Sequence, residues 1–511
     1  MSVSLAKLFD YICCIEFLSS AIDLSEMGVI IKNSIKATVI NFIGAVLGMI
    51  SLLLVQTSFL QPDQIGDLRL ILDKAIVLVP FVIIGIDTVS SRFYFHFDKD
   101  KTLFGGFMTF ILGVPFIIFL IAIPFLFLLQ QYLEIKYLLL ILILLFCNIY
   151  IRIFEDYLTS KAKIIIPALL KSMYIRILTI SLVLVYHFKL ISFDQLLLGY
   201  TLGFILHFAL LALYFKHSIS YAIQFNLSIF KHPIFKEIAT YCGFMTLGMG
   251  SGILVSRLDT PMIESITNGS SASGIFTVAL SIATIIELPR RPISKLSNPI
   301  LSKSLKEKDM GKVHELYQKS ALNLLIISII LFSLIWVNLD NIFKVIPKGH
   351  LYSTGKNVVL LIGVARIIDL GLGVNNQILN NSKHYKWNII LSPILAVTSI
   401  LLNLYFIPIY GITGAAIATC ASLTSYNISR TILVYLKMNI HPFSKQYFIN
   451  IPLMFIAPAI CYFITIENNW LSLFINSFVV LITFCIPVYF LKLSSDLNGL
   501  VDSVFKKFIK S

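Results

Sequence analysis

The run LLIGVARIIDLGLGVNNQIL, from Leu360 to Leu379, sets Arg366 and Asp369 three residues apart in an otherwise apolar segment. If this segment crosses a bilayer as a helix, each charge costs roughly 2.5–3.5 kcal/mol at the centre on insertion scales. Residues three apart share a helix face. The two groups therefore either neutralise one another or face a water-filled cavity. Lys171 and Arg176 raise the same question within IIIPALLKSMYIRILTISLVLV. A guanidinium is a planar fork that matches phosphate oxygens, so cations in that layer point to an anionic headgroup as cargo. Arg176, Arg366, Lys171 and Asp369 are the candidate substrate-binding residues. Asp87, Arg257, Asp259 and Glu287 also lie in or at the ends of apolar segments and are candidates for coupling or gating. The acids either couple protons or orient the arginines.

No chemistry of another kind competes with this reading. The chain has no GxxxxGK[ST] loop, no HExxH and no GxSxG. GMGSG, at Gly248–Gly252, follows no strand and reads as small-residue helix packing. The seven cysteines include no CxxC pair. No catalytic residue, metal or cofactor is expected, and a proton or sodium gradient is the candidate energy source.

The elements that must position these charges are membrane helices. Of 511 residues, 58% are hydrophobic and only 13% charged, and the apolar residues come in blocks of about twenty. Long continuous runs require helices rather than a barrel. The expected fold is an all-α polytopic membrane protein with about 14 spans. These lie near 37–58, 69–91, 104–129, 134–154, 164–186, 194–215, 238–258, 273–296, 318–338, 356–380, 386–407, 411–436, 447–466 and 470–492. Most of the 40 Lys and Arg residues fall in the tails and alternate loops, which places both termini in the cytoplasm. That asymmetry absorbs the +14 net charge, so no nucleic-acid partner is expected.

Residues 1–26 form neither a clear signal peptide nor a span, and Met27 opens a basic tail followed by an apolar helix, which leaves the true start open between Met1 and Met27. Spans 1–6 make an N-terminal lobe, 27–215. A cytoplasmic amphipathic linker follows at 216–237, then spans 7–12 as a C-terminal lobe at 238–436. Residues 437–511 hold spans 13 and 14 and a tail. The lobes echo one another weakly: Gly66 and Gly274 each sit where the second helix of a pair enters.

The chain resembles the bacterial polysaccharide flippases of the multidrug/oligosaccharidyl-lipid/polysaccharide exporter superfamily. The likeness rests on NFIGAVLGMISLLLVQTSFLQPDQIGDLRLI, on LVSRLDTPMIESITNGSSASGIFTVALSIATIIELP and on NPILSKSLKEKD, and extends from about Met27 to span 14. It implies two six-helix lobes in a V plus two C-terminal helices, in the bacterial inner membrane. It also implies alternating-access transport of undecaprenyl-pyrophosphate-linked oligosaccharide for O-antigen, lipopolysaccharide or other surface polysaccharide. Partners would be the polyprenyl-pyrophosphate-linked glycan, the bilayer and polysaccharide polymerase machinery. Related peptidoglycan-precursor flippases carry charges in the first helix, whereas span 1 here has only Asn41, Gln56 and hydroxyls. The rival within the superfamily is a cation-coupled multidrug or metabolite antiporter. A rival of another class is a membrane polysaccharide polymerase or ligase, which commonly uses a long outer loop that this chain lacks.

This topology predicts that reporter fusions at Lys101, Lys306 and Lys437 read cytoplasmic and one at Lys348 reads periplasmic. The reversed pattern would overturn the charge-based orientation.

Overall fold

The computed structural model describes residues 29–97, 100–133, 137–219, 221, 225–464, 466–494 and 496–499. Residues 1–26, and with them the choice between Met1 and Met27, lie outside the described residues. Among those described, the regular elements are all helical. Within the described residues ten helices are long and apolar enough to cross a bilayer, or eleven if the bent pair Ser353–Gly371 and Asn375–Asn381 is one span.

Three expected spans fall short of that standard yet coincide with helices. Pro62–Ile83 carries Asp63, Asp67, Arg69, Asp73 and Lys74, so its first half is too charged. Ile412–Met438 is rich in Thr, Ser, Asn and Tyr, and Lys445–Tyr462 is made less apolar by Lys445, Gln446, Asn450, Pro452 and Pro458. The expected linker contains a four-residue helix, Ser228–Lys231, beside exposed Phe225 and Leu227.

Several helices are interrupted, and each interruption has a local cause. Pro80 stands in the last turn of Pro62–Ile83, which ends at left-handed Ile84 and Gly85 before a new helix, Val89–Phe97. The expected continuous span 356–380 is bent by 48° between Gly371 and Asn375. Gly373 has φ +64°, and an added Cβ there would lie 3.0 Å from Ala321. Glycine adopts that backbone without steric cost and admits the neighbouring helix. Wide π-helical turns occur at Ser51–Gln56 and Leu170–Tyr174, in neighbouring helices of the first half.

The two halves of the chain meet along Pro62–Ile83, which packs against Ser270–Thr284 and Ile234–Arg257. A Cβ on Gly66 would lie 1.9 Å from the Ser270 carbonyl oxygen, and one on Gly274 would lie 1.8 Å from that of Pro62. The two glycines therefore bring backbone against backbone, the close approach that small residues allow between membrane helices. Their similar places in the sequence become one contact in space. Beyond the Ile84–Gly85 break, on Val89–Phe97, Phe93 meets Tyr241 edge-on at 5.5 Å, and Arg92 lies 3.5 Å from Glu237. The last two helices, Lys445–Tyr462 and Asn469–Phe490, pack on Met310–Val337 and leave Phe455, Phe474 and Phe478 exposed.

Gly66→Ala and Gly274→Ala should each force these helices apart, at a cost of about 1–3 kcal/mol. The melting temperature of detergent-purified protein should fall in both. Gly113→Ala, whose Cβ would meet nothing within 4 Å, should leave it nearly unchanged.

Candidate functional site

A cavity of about 1160 Å³ lies within the helices of the second half, between Ile234–Arg257, Tyr385–Tyr410 and Ile412–Met438. Its lining extends from Arg92 and Glu237 at one end to Arg69, Arg257 and Asp259 at the other. Among the described residues of the lining, only Arg69 and Arg92 come from the first half. Six arginines line it, Arg69, Arg92, Arg257, Arg291, Arg366 and Arg430, against three acids, Glu237, Asp259 and Glu287. A concave site with an excess of forked cations and low-dielectric walls concentrates anions.

The excess sits on a framework of ion pairs. Asp73, whose side chain is 1% exposed, accepts from Arg69 Nε at 2.7 Å and from Arg257 Nη1 at 2.8 Å. This carboxylate thus joins the two halves of the chain. Lys74 and Glu264 add a second link nearby at 2.5 Å. Arg366 reaches Glu287 at 3.1 Å, and its Nε is buried without a partner among the described residues. Glu287 is on the one-turn helix Ile285–Glu287, where the Pro289 that follows withdraws a backbone donor.

Arg366 and Asp369 do not pair with each other. Asp369 is buried and bonded instead to Arg290, on the far side of the Pro289 break, and it does not reach the cavity lining. Lys171 pairs with Glu155 at 2.6 Å, and Asp87 lies 3.7 Å from Arg152. Arg176 lies over Gly48, and its Nη1 donates to the carbonyls of Ser172 and Lys171 within the second π-helical turn. Lys171, Arg176 and Asp87, like Asp369, are absent from the described lining, whereas Arg366, Arg257, Asp259 and Glu287 share it.

Asp259 differs from the other acids. Its carboxylate is buried, and its described hydrogen-bond partners are neutral: Asn403 Nδ2 at 2.8 Å and Thr419 Oγ1 at 2.7 Å. Asn403 Oδ1 has no partner among the described residues. A carboxylate, an unpaired amide oxygen and a hydroxyl can together take up a proton or a small cation.

Two residues central to the site were not singled out from sequence. Asp73 stands four residues after Arg69, a spacing that signals an ion pair on one helix face. Arg430 stands four residues after Tyr426 and is 7% exposed, with its guanidinium 3.8 Å from the Tyr426 ring centroid.

Similarity to known proteins is confined to structure. No family model matches the sequence, and no curated protein matches it significantly. Among solved structures the chain is similar to the Lipid II flippase MurJ in its inward closed conformation. That match has a TM-score of 0.69 and 15% identity, covering 89% of this chain and 99% of that one. An inward-facing multidrug resistance MATE family transporter of the MOP superfamily matches with a TM-score of 0.57 and 13% identity, over 78% of this chain and 94% of that one. A MOP superfamily transporter from Pyrococcus furiosus matches at 0.53 and 14%, over 80% and 95%. The fold is therefore the one these transporters share.

Removing one partner from a buried ion pair costs about 3–5 kcal/mol, because the remaining charge is left uncompensated. Asp73→Asn should lower the melting temperature of purified protein markedly. Adding Arg257→Gln to it should restore part of the loss, whereas an additive double variant would deny the coupling.

Proposed function

We propose that this protein is a flippase that moves undecaprenyl-pyrophosphate-linked oligosaccharide across the cytoplasmic membrane, supplying surface polysaccharide or lipopolysaccharide synthesis. The observation that carries the reading is the arginine excess of the cavity, six cations against three acids within a membrane helix bundle. A pyrophosphate needs several forked donors and supplies the charge that balances them. The shared fold with a lipid II flippase supports transport of a lipid-linked headgroup.

In this mechanism Arg366, Arg257 and Arg69 receive the pyrophosphate. Lys171 and Arg176, which lie outside the described lining, meet the cargo after the lobes have moved, and Asp369 fixes Arg290 beside the path. Transport proceeds by rocking of 27–215 against 238–436 about the Gly66–Gly274 crossing, with Pro80 and Pro289 as bending points. The crossing is on the outer side of the membrane and both termini are cytoplasmic. Asp259 is the coupling group, taking a proton or sodium ion, while Asp87, Arg257 and Glu287 act in gating through their ion pairs. Polyprenyl methylenes lose about 0.8 kcal/mol each on leaving hydrocarbon, so the tail stays in the bilayer. The exposed apolar face of Lys445–Tyr462 and Asn469–Phe490 guides it.

Deletion followed by mass spectrometry of lipid extracts tests the reading. Undecaprenyl-pyrophosphate-linked oligosaccharide should accumulate on the cytoplasmic side. An unchanged lipid pool together with loss of efflux of an amphiphilic dye would instead identify a multidrug antiporter. In a transport assay Arg366→Ala should reduce flux by on the order of 10-fold to 100-fold, as for a lost charge-assisted hydrogen bond. Arg366→Lys should restore only part, since it keeps the charge and loses the fork.

A further inference from the structure

The cavity has two chemically different walls. The Arg69, Arg257 and Arg366 wall is built of ion pairs. The facing wall, from Asn375–Asn381, Tyr385–Tyr410 and Ile412–Met438, is built of amides, hydroxyls and aromatic rings around a single cation. Arg430 is buried, and among the described residues it forms no ion pair. Its Nε donates to Asn388 Oδ1 at 2.8 Å, and its Nη2 donates to the Tyr426 hydroxyl. Asn388 Nδ2 in turn donates to Asn376 Oδ1 at 2.9 Å and to Asn380 Oδ1 at 2.6 Å. Ser392 and Tyr426 share a hydrogen bond at 2.9 Å.

This network fixes every member while leaving donors over. A guanidinium has five N–H groups and a primary amide two. The described bonds leave the Nη1 donors of Arg430 and the amide N–H groups of Asn376 uncommitted, on residues that line the cavity. Tyr385, 45% exposed, lines it as well. Buried polar groups held in advance, with unspent donors and an apolar ring alongside, make a preorganised site for a ligand rich in neutral oxygen acceptors.

We propose that Arg430, Asn376, Asn380, Asn388, Tyr426 and Tyr385 form a saccharide subsite. It takes the hydroxyl and acylamino oxygens of the sugar next to the pyrophosphate. This rests on the flippase reading and adds a division of labour: one wall holds the phosphates and the other reads the sugar. A site built to donate to a substrate oxygen discriminates against a ligand that lacks it, because its donors are then left unpaired.

The test compares binding of two lipids to the full chain in nanodiscs: undecaprenyl pyrophosphate, and the same lipid bearing one N-acetylhexosamine. Wild type should bind both, and the sugar-bearing lipid on the order of 10-fold to 100-fold more tightly. Arg430→Gln should abolish most of that difference, weakening the sugar-bearing lipid far more than the bare lipid. Asn380→Ala and Tyr385→Phe, at exposed positions, should each reduce the difference and serve if Arg430→Gln does not fold. Equal binding of the two lipids by wild type, or equal weakening of both by the variants, would overturn the subsite and leave the flippase reading standing. Binding of neither lipid would overturn both.

Discussion

A charge inside hydrocarbon has few ways to persist: it finds a partner, it reaches water, or it loses its proton. The interior of this molecule is arranged by that requirement. The Asp73 carboxylate answers two arginines from opposite halves of the chain and has no other means of being buried. Glu287 answers Arg366, and Asp369 answers Arg290. Apart from Arg69 and Asp73, which are neighbours on one helix, the paired residues stand 79 to 184 positions apart in the sequence. The charges therefore act as cross-links between helices, and their leftover valence defines what the cavity can hold.

The same requirement explains which parts of the structure can be read from the sequence. Apolar blocks are local patterns, and the long helices lie where those blocks predict. Arg366 stands deep inside one of them, so its special position is visible without coordinates. Asp73 stands in the charge-rich run DQIGDLRLILDK, which looks like the wet end of a helix, and only the fold brings Arg257 to it. Arg430 falls near the end of its apolar block and looks like an interfacial cation, yet it is buried and bonded to Asn388 of the preceding helix. The pairing of Arg366 with Asp369 was the plausible local alternative. It fails because the segments on either side of Pro289 offer each of them another partner, Glu287 before it and Arg290 after it.

The ion pairs also bear on how an anion would be bound and let go. A phosphate entering beside Arg366 competes with Glu287, and one entering beside Arg257 competes with Asp73. Exchange of one anion for another avoids the cost of exposing a bare guanidinium at any stage. It also joins occupancy of the cavity to the seam between the halves, since the Asp73 carboxylate belongs to both. A ligand can shift an equilibrium only by interacting differently with its two states, and this seam supplies such a difference.

The wide turn at Leu170–Tyr174 carries a consequence for Arg176. Its guanidinium is spent on carbonyl oxygens of that same turn, those of Ser172 and Lys171. Any incoming anion has to displace a tethered rival whose effective concentration is set by the helix and does not fall when the cargo is scarce. In the mechanism proposed above the arginine thus carries its own antagonist, and its grip on the cargo would be shortened by backbone waiting to reclaim it. For the proposed flippase, which would have to surrender what it carries, a slightly poor hold at such a point favours turnover over affinity.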